Sequence, residues 1–145
     1  MTTSPFIGGC HCGNIQFEMD LTREANTYTP RACDCDFCLK HGASYLSDSE
    51  GKLVITIKDE REMNKYQQGN KIADFLICRN CGVLVGVTSE IHGKLYATIN
   101  SKAIAHHAEF GAEKSASPKN LDAQTKTERW EDIWFANTLI RIMNK

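Results

Sequence analysis

Cys33-Asp34-Cys35-Asp36-Phe37-Cys38 packs three cysteines into six residues. No other stretch of the 145-residue chain is so dense in one reactive group. Two looser pairs echo it. Cys10 and Cys12 sit in Gly8-Gly9-Cys10-His11-Cys12-Gly13, and Cys78 and Cys81 in Cys78-Arg79-Asn80-Cys81-Gly82. Together these account for all seven cysteines. An odd count suits a disulfide framework badly. In a reducing compartment, close-spaced cysteines are natural metal ligands.

A closed structural zinc takes four protein ligands in a tetrahedron, whereas a catalytic zinc takes three and keeps one place for water or substrate. Seven cysteines divide that way. Cys78 and Cys81 form a half-site that cannot close a tetrahedron alone, and Cys10 and Cys12, likewise followed by glycine, are the natural other half. Joining them clamps the N-terminal turn to the middle of the chain and supplements the core of a small domain. Buried free cysteines are the bland alternative, but they do not account for two close pairs each followed by glycine. Cys33, Cys35 and Cys38 then remain as a three-thiolate set. Its fourth place is open, or filled by His41, or filled by Asp34 or Asp36. A surface or polar-pocket His41 is preferred over ligation. His11, His92, His106 and His107 read as loop or surface residues. The spacing departs from haem and ferredoxin-cluster runs, which favours zinc, two per chain. Three thiolates on a divalent cation blunt it as a Lewis acid for making hydroxide and favour a soft sulfur ligand instead. A small thiol held there as thiolate is in its nucleophilic form. It can add to a carbonyl carbon to give a hemithioacetal, or the reverse reaction can split the carbon–sulfur bond.

Working outward, residues 14–19 alternate polar and apolar, as a half-buried strand does. Residues 22–30 read as a loop. Residues 39–43 read as a short helical turn or loop stopped at Gly42, and 44–47 as a strand. Asp48-Ser49-Glu50-Gly51 has turn composition, and the β-branched run 52–57 is a strand. A further strand is expected over 62–69, ending at Gly69-Asn70. Residues 72–77 run into the Cys78/Cys81 turn and 83–87 leave it, which puts that pair at the tip of a β-hairpin. Residues 95–99 make one more strand. A short helix is expected over 101–110, an exposed loop over 111–127, and a closing helix or irregular arm over 130–143. For Trp130 and Trp134, core or dimer packing is preferred over covering the cysteine site. The expected organisation is a single domain over 1–145, with a core at about 8–99 and a C-terminal arm at about 100–145.

The apolar fraction is 41%, the charged fraction 24% and the net charge −1, ordinary values for a globular domain. A near-neutral balance argues against a nucleic-acid or membrane-surface binder, which normally carries a basic excess. No apolar run approaches the ~20 residues of a membrane span. Residues 1–9 lack a basic region followed by an apolar stretch, so no signal peptide is expected and the cytoplasm is the expected compartment.

Gly9-Cys10-His11-Cys12-Gly13 with the Ile15/Phe17 strand, then Cys33-x-Cys35-x-x-Cys38, then Cys78-x-x-Cys81-Gly82 resembles the glutathione-dependent formaldehyde-activating enzyme family, also called the GFA or centromere-protein-V domain family. The resemblance covers about residues 8–99. It implies a mainly β, Mss4-like fold of small antiparallel sheets organised around zinc sites, with short helical segments. It implies a structural zinc on Cys10, Cys12, Cys78 and Cys81, and a catalytic zinc on Cys33, Cys35 and Cys38. The reaction it implies condenses formaldehyde with glutathione to S-hydroxymethylglutathione, a carbon–sulfur lyase activity. Two departures sit beside the cysteine run: Asp36 where the family commonly has serine, and Leu39 where it commonly has arginine, with Lys40 next. An added carboxylate there opposes a second anionic ligand such as glutathione, with Lys40 or Arg31 placed to compensate. The expected partner is a small-molecule thiol or thiol–aldehyde adduct, contacted by Phe37, Lys40, His41 and Tyr45 beside the run. Core packing is an equal reading for Phe37 and Tyr45. The competing function is a non-catalytic zinc module docking a protein or nucleic acid. Homodimerisation is open.

Overall fold

The computed structural model describes residues 5–68 and 71–143. The chain is mainly β, with eleven strands and two α-helices among these residues. Strands β1 (Phe6–Gly9), β2 (Ile15–Asp20) and β5 (Lys52–Ile57) form one sheet with β11 (Asn137–Ile142), in the order β1-β2-β5-β11. The second sheet has seven strands in the order β10-β3-β4-β9-β8-β7-β6. They are β3 (Arg31–Cys33), β4 (Ser44–Leu46), β6 (Met63–Tyr66), β7 (Asp74–Cys78), β8 (Leu84–Ile91), β9 (Lys94–Asn100) and β10 (Lys114–Ala116). Most pairings are antiparallel, but β10 runs parallel to β3 and β11 parallel to β5.

The period-two pattern of 14–19 is what seats the first sheet. Ile15, Phe17 and Met19 are buried and their neighbours exposed, and they lie opposite Ile57, Ile55 and Leu53 of β5. These six side chains face the second sheet across a core that also takes Leu46, Leu76, Val85, Ala97, Ile99 and Phe135. In β9 the alternation sends Ala97 and Ile99 to this core and Tyr96 to the far face. That far face carries its own apolar cluster, with Cys38, Tyr45, Phe75, Val87 and Trp134. Strand β8 is therefore covered on both sides and buried at all but one position, which is why its sequence shows an apolar run rather than alternation.

Three stretches differ from the sequence-based expectation. Residues 101–110 form two 3₁₀ turns, Ser101–Ala103 and His107–Glu109, instead of a helix. Residues 111–127 are not an exposed loop: β10 pairs with β3, Pro118–Asn120 makes a 3₁₀ turn, and helix α2 (Ala123–Ile133) begins. Only three residues of β10 pair, too short a run to carry a pattern. Beyond α2 the chain leaves the helix at Trp134 and ends in strand β11, where Leu139 and Ile140 alternate in exposure as a strand face does. Phe135 fastens that turn by exchanging hydrogen bonds with Ala97 at 2.8 and 3.2 Å. The strand expected over 62–69 is Met63–Tyr66, and its expected end at Gly69-Asn70 lies outside the described residues, as do positions 1–4 of the N-terminal stretch. No helix among the described residues is long and apolar enough to cross a membrane.

Candidate active site

Two turns bring the first cysteine group together. Cys10 and Cys12 lie in the β1–β2 connection, closed by Cys10 N–H donating to the Ile15 carbonyl at 2.9 Å. Cys78 ends β7, and Cys81 lies in the turn to β8, closed by Gly82 N–H donating to the Cys78 carbonyl at 2.9 Å. Both turns leave through a glycine with positive φ, 86° at Gly13 and 81° at Gly82, a conformation that a Cβ disfavours. The four sulfurs lie within 4.8 Å of one another. Cys10 Sγ is 3.7 Å from Cys12 Sγ, which is 3.5 Å from Cys78 Sγ. A tetrahedron with metal–sulfur bonds of about 2.3 Å has edges of about 3.8 Å, so the spacing suits a tetrahedral thiolate site. Backbone N–H groups of Ile15 and Cys81 point at Cys10 and Cys78 Sγ, at 3.2 and 3.5 Å. The Asn80 side chain and the Asn14 backbone hold the Cys12 thiol down to about 6. Burial pushes Cys78 up to about 12.

The second group is made at a strand-to-helix corner. Cys33 ends β3, Cys35 caps helix α1 (Asp36–His41) by accepting from Cys38 N–H at 3.4 Å, and Cys38 occupies the first helical turn. The three sulfurs lie within 4.8 Å of one another, and no described His, Asp or Glu joins them. His41 and the two aspartates therefore stand apart from the group. The Tyr45 hydroxyl lies 3.2 Å from Cys38 Sγ, and Gln68 Nε2 donates to Cys35 Sγ at 3.7 Å. The Cys38 side chain holds Cys33 down to about 6, while Cys33 and burial push Cys38 up. One thiolate forms readily here, and its charge opposes the next. A dication among the sulfurs removes that opposition, so the donor set suits a thiophilic divalent metal such as zinc.

These sulfurs open into a cavity of about 310 Å³, at the small end of the ~300–1,000 Å³ typical of ligand pockets. Its floor is the far face of the seven-stranded sheet: Arg31, Cys33, Tyr45, Phe75, Val87 and Thr98. Its roof combines Ala116, Pro118 and Leu121, from the segment the sequence assigned to an exposed loop, with Trp130, Ile133 and Trp134, from the expected closing helix or arm. Roof and floor are tied beside the cysteines, where Asp34 N–H donates to the Ala116 carbonyl at 3.0 Å and Ser117 Oγ to Asp34 Oδ2 at 2.6 Å. The Trp130 and Trp134 rings stack at 4.3 Å and 12°. They line the cavity, and Trp134 is also packed in the core with Cys38 and Tyr45, so both sequence readings of the pair describe it.

Of the four expected contacts, only Tyr45 lines the cavity. Burial, then the neighbouring cysteine sulfurs, push its hydroxyl up, so it stays a protonated donor. Phe37 packs among His41, Tyr66 and Phe75, with ring centroids 4.6–5.0 Å apart, and Lys40 and His41 are exposed. All three fall outside the cavity because α1 turns its other side to the sulfurs. Arg31, by contrast, lies in it. Its position two residues before Cys33 was the available signal, since i and i+2 share a strand face. Burial and the nearby Arg129 pull its guanidinium down to about 10. Nothing local in the sequence marks Lys119, Lys126 and Arg129, which join the cavity only through the roof.

A sequence model of the family described as glutathione-dependent formaldehyde-activating enzyme matches residues 5–119. Among solved structures, a Rhodobacter sphaeroides protein is similar, with a TM-score of 0.53 and 22% identity over 74% of this chain and 99% of that one. At that identity the likeness bears on the fold, which it shares.

Proposed function

The chain belongs to the glutathione-dependent formaldehyde-activating enzyme family, and from that premise we propose that it is a zinc-dependent carbon–sulfur lyase joining a small thiol to formaldehyde. The observation carrying this reading is the three-thiol corner at the cavity wall, which no fourth His, Cys, Asp or Glu joins among the described residues. Cys33, Cys35 and Cys38 would hold the catalytic zinc, and Cys10, Cys12, Cys78 and Cys81 a structural one. When bound at the three-cysteine corner, the metal supplies a place where a thiol is kept as its thiolate. The residues of the chain do the rest. Trp130, Trp134, Ile133 and Phe75 exclude water around the thiol carbon chain. With Cys38 held as a thiolate, Tyr45 Oη, 3.2 Å from its sulfur, would donate to it and fix its orientation. The new bond joins sulfur to the carbonyl carbon. The C=O π pair moves to oxygen, which gains a proton as the thiol loses one, so thiol plus formaldehyde gives the S-hydroxymethyl adduct with no redox change. The whole chain acts as one unit, because the C-terminal segment supplies the roof.

The test is exchange spectroscopy with ¹³C-formaldehyde and glutathione, in which adduct formation and breakdown are read against the uncatalysed rate. Metal-loaded protein is expected to accelerate exchange, and Cys35→Ser is expected to return it to background with the far-UV circular dichroism retained. Exchange that is no faster with metal-loaded wild-type protein, for glutathione or any other small thiol, overturns the proposal.

A further inference from the structure

The two sheets have four edge strands, β1 and β11 on one and β10 and β6 on the other. An open edge presents a row of unpaired N–H and C=O groups, and native proteins blunt it by covering it, keeping it short or placing lysine on it. Strand β1 is covered: Gly8 bridges to Ile104, and Ala105 N–H donates to the Ile7 carbonyl at 2.9 Å. Strand β10 is three residues long, and β6 is four, with Lys65 exposed on it. Strand β11 has none of these devices. It runs for six residues, Asn137-Thr138-Leu139-Ile140-Arg141-Ile142, without proline, glycine or lysine. Leu139 is exposed on it, and Met143 is exposed just past its end.

Hydrogen-bond parity identifies the free backbone groups. In a parallel pair, residues that bond the neighbouring strand alternate with residues that face away from it. Met143 N–H donates to the Ile57 carbonyl at 2.9 Å, which continues the β11–β5 ladder and puts Asn137, Leu139 and Arg141 on the bonded side. Thr138, Ile140 and Ile142 therefore turn their N–H and C=O groups to the open side, where no backbone group among the described residues bonds them. We infer that this edge docks a second copy of the chain, whose β11 adds antiparallel about a two-fold axis at Leu139. In that register the strand is complementary to itself. Leu139 meets its own copy at a non-hydrogen-bonded position, where side chains come closest, while Thr138 and Ile140 exchange bonds with the partner's Ile140 and Thr138. Asn137 lies opposite the partner's Arg141 and offers it an amide oxygen, and no like charges face each other. Moving the axis to Ile140 sets Leu139 against the partner's Arg141, and moving it to Arg141 sets two guanidiniums together. Leu139 is the neighbour of half-buried Val54 on β5, so pairing joins two four-stranded sheets into one of eight strands crossed by a single apolar stripe. A strand from another protein would satisfy the backbone but not this symmetric side-chain match, which favours a second copy. The cavity belongs to the seven-stranded sheet, so docking here is separate from the chemistry proposed above.

Two paired edges make a smaller interface than the standard one, so a dimer constant of about 1–100 μM is expected. Sedimentation equilibrium of the metal-loaded full chain across that range should show the mass rise from 16.3 kDa toward twice that value. Leu139→Lys changes an exposed position but sets like charges on the axis, and it should weaken the dimer at least about tenfold. Asn137→Asp faces the partner's Arg141 and should tighten it about threefold. Hydrogen exchange read by NMR reports the register. Dimerisation should slow the amides of Thr138 and Ile140 more than those of Leu139 and Arg141, which β5 already bonds. A chain that stays at 16.3 kDa throughout overturns the inference, whether its edge is bare or takes a strand of another protein. So does a dimer that Leu139→Lys leaves intact, or one in which Thr138 and Ile140 exchange as fast as in the monomer. Should Leu139→Lys fail to fold, Asn137→Asp decides, and an unchanged dimer constant overturns the inference.

Discussion

Removing each proposed metal centre in turn should separate the two by the length of chain that each closes. Cys12→Ser/Cys81→Ser takes one ligand from each knuckle, and Cys33→Ser/Cys35→Ser takes two from the corner. All four cysteines are exposed or half-buried, so little burial is lost in either variant. Cys12 and Cys78 are 66 residues apart in sequence, so a metal between the knuckles closes a loop of that length. The chain-entropy relation for a cross-link gives about 4 kcal/mol for such a loop. For the five-residue span from Cys33 to Cys38 it gives about 2 kcal/mol. With an unfolding entropy of about 2.1 cal/mol/K per residue, a chain of this length loses about 3 °C per kcal/mol. The knuckle variant should therefore melt about 13 °C below the wild type and the corner variant about 7 °C below it. Differential scanning calorimetry measures the shifts, and elemental analysis counts the metal, expected to fall from two to one in both variants. Equal shifts, a larger shift in the corner variant, or loss of both metals from either would refute the division into a structural clamp and a chemical site.

Acid should find a weak point at Asp48. Hydrogen bonds from Thr22 Oγ1 at 2.6 Å, Tyr28 Oη at 2.5 Å and the Thr22 and Glu50 backbone outweigh its burial and hold its carboxyl down to about 2, against an ordinary 3.8. A depressed folded-state value gives stability that is present above about pH 4 and lost as pH falls toward 2, here about 2 kcal/mol. Urea unfolding of the wild type against Asp48→Asn should show a gap at pH 5 that closes by pH 2, and a pH-independent gap would count against the network. Phe135→Ala should cost about 3–5 kcal/mol, because the ring is fully buried between the sheets where the chain passes from α2 to β11. Chemical denaturation measures it, and a loss under 1 kcal/mol would show that the segment is not anchored there.

The cysteine spacing, the period-two run at 14–19 and the β-branched run at 52–57 marked the sheets and both sulfur groups, because ligand turns and amphipathic strands are local patterns. The hairpin carrying Cys78 and Cys81 was legible for the same reason. Residues 111–143 were not. Their strands are held by parallel pairing to β3 and β5, distant in sequence, and parallel pairing leaves no turn signal. Beside the cysteine run, the sequence placed Phe37, Lys40 and His41 near the substrate, since neighbours in sequence are neighbours in space only until a helix rotates them apart. By itself, then, the sequence determined which sulfurs group together and that the chain is mainly β. Tertiary structure alone decided what faces the three-cysteine corner. The roof that brings Trp130 and Arg129 over Cys33–Cys38 is built from long-range contacts, and the rotation of α1 turns three of the four nearest candidates away.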